Sequence, residues 1–211
     1  MIVVIEGISA CGKSSWCSSH AAGHVVAENG RINGPDRAQA PAEAAAFWAL
    51  RNLDRWQAAI AMDYSTGLAI CDTDPLKLHY IWCLWKIGEA READWHLELA
   101  ATRKTFAQKQ IGFGDLYYIG VIEPAVARQR KQADPTRSRR NFELHVRLQP
   151  ALIAWYETLS AVLPGQVFFG FPDARPVTSL MAAKSRRYDL AAFDNFIARL
   201  AGATSPQASL P

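Results

Sequence analysis

The stretch Gly7-Ile8-Ser9-Ala10-Cys11-Gly12-Lys13-Ser14 has the spacing G-x4-G-K-S. Each residue type in it has a mechanical reason. Glycines let the backbone curl until successive N–H groups point at one anion, and a helix that follows adds the positive end of its dipole. Lys13 can then reach the β- and γ-phosphates of a nucleotide, and the Ser14 hydroxyl can ligate Mg2+. Gly7, Ser9, Ala10, Cys11, Gly12, Lys13, Ser14 and Ser15 are the expected triphosphate-binding residues, with ATP and Mg2+ as the cofactors.

Carboxylates stand at three further places. Glu6 precedes the glycine loop, Glu28 follows His24-Val25-Val26-Ala27, and Asp72-Thr73-Asp74-Pro75 follows Leu68-Ala69-Ile70-Cys71. Each lies at the expected carboxyl end of a strand, where α/β sheets bind ligands. Phosphoryl transfer needs positioning, charge neutralisation and help in deprotonating the acceptor. Asp72 suits a metal ligand acting beside Ser14 through a bound water, or a base in its own right. Asp74 before Pro75 also reads as a helix N-cap and first helical position.

The cations cluster. Arg128, Arg130, Lys131, Arg137, Arg139 and Arg140 surround an Asp134-Pro135-Thr136 break, which predicts helix, turn, helix. A lid of that form, at about 128–140, can close guanidinium forks over a triphosphate. Arg128, Arg137 and Arg139 are its expected contacts. For the acceptor, Phe47, Trp48, Arg51, Arg55 and Trp56 fall on one predicted helix, and Lys77, His79, Tyr80, Trp82 and Trp85 on another. Rings suit a flat acceptor, although most rings at helical spacing are plain core. Glu28, Arg51, Arg55, Asp74 and Tyr80 are the expected acceptor-binding residues.

These residues need elements to hold them. Apolar runs at Ile2–Ile5, His24–Ala27, Leu68–Cys71, Leu116–Ile122 and Val167–Phe169 predict about five strands, the first buried on both faces. Helices are expected at about Lys13–Ala22, Ala42–Tyr64, Pro75–Gly88, Glu92–Gln110, Pro124–Gln132, Arg140–Leu163 and Leu190–Ala201. That alternation predicts a parallel sheet wrapped by helices, a three-layer α/β domain over 1–201 with a polar tail at 202–211.

Composition narrows the classes. The chain has 211 residues, half of them hydrophobic, and 23 Lys and Arg against 20 Asp and Glu, a net +3. The excess is local. Between Arg128 and Arg147 there are seven basic and two acidic residues, which leaves 16 basic and 18 acidic elsewhere. A mildly acidic body with one basic segment fits a small anion better than a polynucleotide. No run is long enough for a membrane span, and the apolar start is too short for a signal peptide. Cys11, Cys17, Cys71 and Cys83 form no CxxC pair, so free thiols and a cytoplasmic location are expected.

The segment Ile5-Glu6-Gly7 running into Gly12-Lys13-Ser14-Ser15 resembles the opening of the thymidylate kinase and deoxynucleoside kinase group of P-loop kinases. Asp115-Leu116 opens a strand that ends at Glu123-Pro124-Ala125, and the arginine cluster and a long helix follow in the same order. The resemblance implies a nucleoside/nucleotide kinase-like P-loop fold with an Arg-rich lid. It implies Glu6 as base for a sugar hydroxyl, the loop Asn29–Arg37 on the acceptor side, and Asp173 to Pro176 beside adenine. One departure stands out. Thymidylate kinases carry Asp-Arg and deoxynucleoside kinases Glu-Arg-Ser where this chain has Asp72-Thr73-Asp74, so hydroxyl and phosphate acceptors both stay open.

The expected activity is an ATP- and Mg2+-dependent phosphotransferase acting on a nucleoside or nucleotide, with Glu6 or Asp72 taking the proton. An antibiotic or other secondary metabolite is the alternative acceptor. A nucleotide-dependent switch without kinase activity is the alternative of another class, and a polynucleotide end kinase is a third. The expected partner is a small molecule, with no membrane and no nucleic acid; a homodimer is allowed.

Overall fold

In the computed structural model, which describes residues 1–28, 33–134, 141–176 and 184–202, the apolar runs form five strands. They are β1 (Ile2–Gly7), β2 (Val25–Val26), β3 (Ala69–Asp72), β4 (Leu116–Gly120) and β5 (Val167–Phe169). All pairs are parallel, in the order β2-β3-β1-β4-β5. β1 takes the centre because all six of its residues are apolar, small or held inside, and all are buried. The register sets Ile5 beside Asp72 and Gly7 beside Gly120. The carboxyl ends of three strands therefore meet at one spot.

Helices cover both faces. They are α1 (Lys13–His20), α2 (Pro41–Thr66), α3 (Leu78–Lys86), α4 (Glu92–Ala107), α5 (Pro124–Ala133), α6 (Phe142–Val162) and α7 (Leu190–Gly202). Alternate residues of β1 point to opposite layers. Val3 and Ile5 pack with Trp16 and Cys17 of α1, while Ile2 and Val4 join the larger core built from α2, α3, α4, α6 and α7. The three-layer α/β architecture expected from the alternation is present. All four cysteines are free and buried. Among the described residues no helix is long and apolar enough to cross a membrane. Residues 203–211 of the expected tail lie outside the described residues.

Three boundaries differ from expectation for physical reasons. β2 keeps only Val25 and Val26, since it pairs on one side alone, with Ile70 and Cys71. β4 stops at Gly120, where the Phe171 ring lies so close that a Cβ would meet it at 2.4 Å. α3 begins at Leu78 and not at Pro75. The Asp74 carboxylate accepts the Leu76 amide at 2.9 Å, closing a turn in place of capping a helix.

One buried charge cluster fastens the sheet to the segment before α7. Asp115 is fully buried and accepts the Ile2 amide at 2.6 Å and Arg187 Nε at 2.8 Å. Arg187 also reaches Asp63 at 2.7 Å. Removing one member of such a cluster strands a buried charge, at a cost of about 3–5 kcal/mol. Asp115→Ala should therefore lower unfolding stability by about 3 kcal/mol or more in denaturant titration. Arg103→Ala, which breaks an exposed pair with Asp194, should leave the midpoint in place.

Candidate functional site

The chain leaves β1 at Gly7 and cannot continue straight. Gly7 takes φ 149°, and a Cβ there would sit 2.6 Å from the Gly120 carbonyl oxygen and 2.7 Å from Cys11 Sγ. Ala10 and Gly12 follow with φ 68° and 109°, so the loop wraps back and α1 starts from Gly12. The first-turn amides of α1 have no intrahelical acceptor and face the hollow of the loop. Lys13 lies across that hollow, donating from Nζ to the Gly7 carbonyl at 2.5 Å and the Ile8 carbonyl at 3.3 Å. Burial works against its ammonium. The Cys11 sulfur and the carboxylates of Glu6, Glu28 and Asp72 outweigh that, and its pKa lies above the ordinary value.

Asp72 and Ser14 come together under the loop. The Ser14 hydroxyl donates to Asp72 Oδ2 at 2.7 Å, while Asp72 Oδ1 is buried with no hydrogen-bond partner. A hydroxyl beside a carboxylate with a free buried oxygen suits a hard divalent cation such as Mg2+. No group of three His, Cys, Asp or Glu among the described residues could hold a metal alone, so phosphate oxygens would complete the shell.

Glu6 stands at the carboxyl end of β1, buried yet facing the same hollow. Its Oε1 accepts the Gly7 amide at 2.8 Å and its Oε2 the Asp74 amide at 2.9 Å. His79 Nε2 lies 3.4 Å from Oε2. Burial pushes the His79 imidazole down to about 4, so Glu6 faces a neutral ring.

Lys13, Ser14 and Glu6 open into one cavity of about 750 Å3, running from the loop of Gly7, Ser9, Ala10, Gly12, Lys13, Ser14 and Ser15 past Glu6 to a second half beyond, while Asp72 stands behind Ser14 and does not line it. Glu28, Arg37, Trp48, Asn52, His79 and Tyr80 are among the residues that line this far half. Among the described residues, two ion pairs stand in it. Arg37 meets Glu98 at 2.7 Å and lies 5.7 Å from the centre of the Trp48 ring, and Lys77 meets Glu28. Burial opposes the Glu28 carboxylate, but Lys77 holds it below its usual range.

Several expected site residues stand elsewhere. Cys11 packs beneath the loop, and burial pushes its thiol up. Arg51 turns outward to Asp54 at 3.3 Å. Arg55 is buried under the wall, with its guanidinium committed to main-chain carbonyls. Asp74 lies one layer behind Glu6, bonded by the Tyr156 hydroxyl at 3.1 Å, and burial raises its carboxyl to about 7. Asp173 is exposed and outside the cavity wall, although its neighbour Pro172 accepts the Trp16 indole N–H at 2.7 Å. Trp56 and Trp82 are core.

The arginine segment expected to form a lid makes other contacts than expected where it is described. Arg128 pairs with Glu143 at 2.9 Å on the surface, and among the described residues of the segment Arg130 reaches the loop, donating to the Cys11 carbonyl at 3.1 Å. Residues two apart on a helix point roughly 200° apart, so α5 can offer only one of them. Arg137 and Arg139, with the loop residues 29–32, lie outside the described residues.

Glu98, His145 and Asn52 line the cavity and were not singled out from sequence. Glu98 carried a legible signal: it is an acid on the same stripe as Trp95, Thr102 and Phe106, the buried face of α4. A charge on a core-facing stripe needs a partner or a ligand.

No protein-family model matches this sequence, and no curated protein does. Solved structures match over nearly the whole chain. Three describe deoxyadenosine kinase from M. mycoides: with products dCMP and a flexible dCDP, with dCTP, and with dATP. Each has a TM-score of 0.54, with 13%, 12% and 11% identity. They cover 94%, 94% and 97% of this chain and 100% of the matched chains. The fold is that of a P-loop deoxynucleoside kinase.

Proposed function

We propose that the protein is an ATP- and Mg2+-dependent kinase that passes the γ-phosphoryl group to a hydroxyl of a small molecule, with a nucleoside as first acceptor class. The observation that supports this reading is a cavity in which Lys13 and Glu6 face a far half whose described cations, Arg37 and Lys77, are already paired. An acceptor bearing its own phosphate needs a cation to spare. Arg37 and Lys77 are both paired there, and His145, with its pKa lowered first by burial, is neutral. A hydroxyl needs none. That the fold neighbours are described as deoxyadenosine kinases favours a nucleoside among hydroxyl acceptors.

The residues divide the work. The loop amides and Lys13 hold and neutralise the triphosphate, and Arg130 lies within reach of the same end. Ser14 and Asp72 would hold Mg2+, which when bound offsets charge on the phosphate oxygens. Glu6 takes the proton from the acceptor hydroxyl. Its two amide donors fix the carboxylate's direction, and a neutral His79 does not compete for its charge.

With ATP, Mg2+ and a panel of nucleosides, nucleotides and hydroxylated metabolites, ADP should form fastest with a nucleoside. No acceptor-dependent rate with any member would overturn the kinase reading. Glu6→Gln should lower kcat by about 10²–10⁴-fold with the KM for ATP little changed. Lys13→Ala should abolish turnover and most triphosphate affinity. In the switch reading, by contrast, an ATP-driven change in partner binding would survive Glu6→Gln.

The His79 state has its own test. Unfolded imidazole takes its proton near pH 6.5, but the buried ring refuses it until about 4. The unfolded chain thus binds more protons in that window, and this group subtracts stability as pH falls from about 6.5 toward 4. The His79 ring resonances should stay unshifted by NMR from pH 8 to about 5.5. A midpoint near 6.5 would contradict the neutral pairing.

A further inference from the structure

The turn between β3 and α3 holds a shape that its own residues do not favour. Thr73 and Lys77 have φ of 79° and 44°, in the left-handed region that non-glycine residues occupy only when their surroundings impose it. The imposing groups come from α2. Arg55 Nη2 donates to the Asp72 carbonyl at 2.9 Å and the Thr73 carbonyl at 2.7 Å, and Nη1 donates to the Asp74 carbonyl at 3.2 Å. Asn52, one turn earlier on the same helix, donates to the Leu76 carbonyl at 3.1 Å. Two side chains thus collect four carbonyls, that of Asp72 at the end of β3 and those of Thr73, Asp74 and Leu76 in the turn.

Arg55 is only 4% exposed, and among the described residues no carboxylate lies within ion-pair distance of it. A buried guanidinium held by main-chain oxygens, with no direct ion pair, gives up its hydration for little net stability. Its return is direction. With the carbonyls drawn toward α2, the Asp74 amide points the other way, onto Glu6 Oε2, and the Thr73 amide onto the Ile5 carbonyl at 2.9 Å. We infer that Arg55, assisted by Asn52, is a positioning residue: it clamps the β3–α3 turn so that the Asp74 amide aims the Glu6 carboxylate into the cavity. The catalytic half of this inference rests on the kinase reading; the clamp itself does not. Lysine would not replace Arg55, because a point charge cannot span three successive carbonyls as a planar fork does.

The test reads the turn and the chemistry separately. Amide hydrogen exchange is followed at Asp74 in the wild type, Arg55→Met and Arg55→Lys, with the β1 amides as internal reference. Exchange at Asp74 should accelerate at least about tenfold in Arg55→Met and Arg55→Lys, while β1 stays within about twofold. In the assay with acceptor, kcat should fall by about tenfold or more with the KM for ATP held within about twofold. Unchanged exchange at Asp74 would overturn the clamp, and a KM for ATP that rises as far as kcat falls would overturn its role in aiming Glu6. Should Arg55→Met fail to fold, Asn52→Ala releases only the Leu76 carbonyl and should shift Asp74 exchange in the same direction by less; no shift would overturn the clamp. If the wild type shows no acceptor-dependent turnover, the kinase reading fails and the exchange result alone decides the clamp.

Discussion

Glu6 stands where three pieces of backbone meet: the end of β1, the start of the glycine loop, and the turn after β3. Its carboxylate accepts one amide from each of the last two, Gly7 and Asp74. A buried acid held in this way is aimed as well as satisfied. The central place of β1 in the sheet makes the meeting possible, because only a strand flanked on both sides brings β3 and β4 to the same end. Ser14 bonding to Asp72 then ties the helix after the loop to the neighbouring strand. The Lys13 end and the Glu6 end of the cavity are thus fixed to one frame.

Much of this was legible in the residues. The G-x4-G-K-S spacing located the loop, since curling a backbone around an anion demands those glycines at those intervals. The continuous apolar run at Ile2–Ile5 identified a strand buried on both faces, and the carboxylates of Glu6, Glu28 and Asp72 were placed at strand ends for a topological reason. The parallel sheet and the three-layer packing followed from alternation, whereas the strand order β2-β3-β1-β4-β5 did not.

What escaped was decided by direction, which sequence position does not encode. Arg51 and Arg55 are one turn apart on α2, yet the half-buried Arg51 pairs with Asp54 and the fully buried Arg55 with the carbonyls of a turn. Arg128 and Arg130 share a charge run, and helical phase alone turns the second toward the loop. Asp74-Pro75 has the residue types of a helix start, but the Asp74 side chain bonds Leu76 and postpones α3 to Leu78. The net +3 of the chain likewise says little until its basic excess is located on α5 and the segment after it.

The acceptor half remains the part in which this chain is most its own. Where its resembling kinases place an arginine directly after the strand-end acid, this chain has Thr73, and a guanidinium reaches the turn from α2. The far wall pairs Arg37 with Glu98 and Lys77 with Glu28, leaving the acid Glu6 as the group at the junction with the phosphate loop. The most direct measurement is the mass of the product formed from ATP, Mg2+ and either a nucleoside or the matching nucleoside monophosphate. The nucleoside should gain one phosphoryl group and become the monophosphate. Formation of a diphosphate from the monophosphate, with the nucleoside untouched, would contradict it.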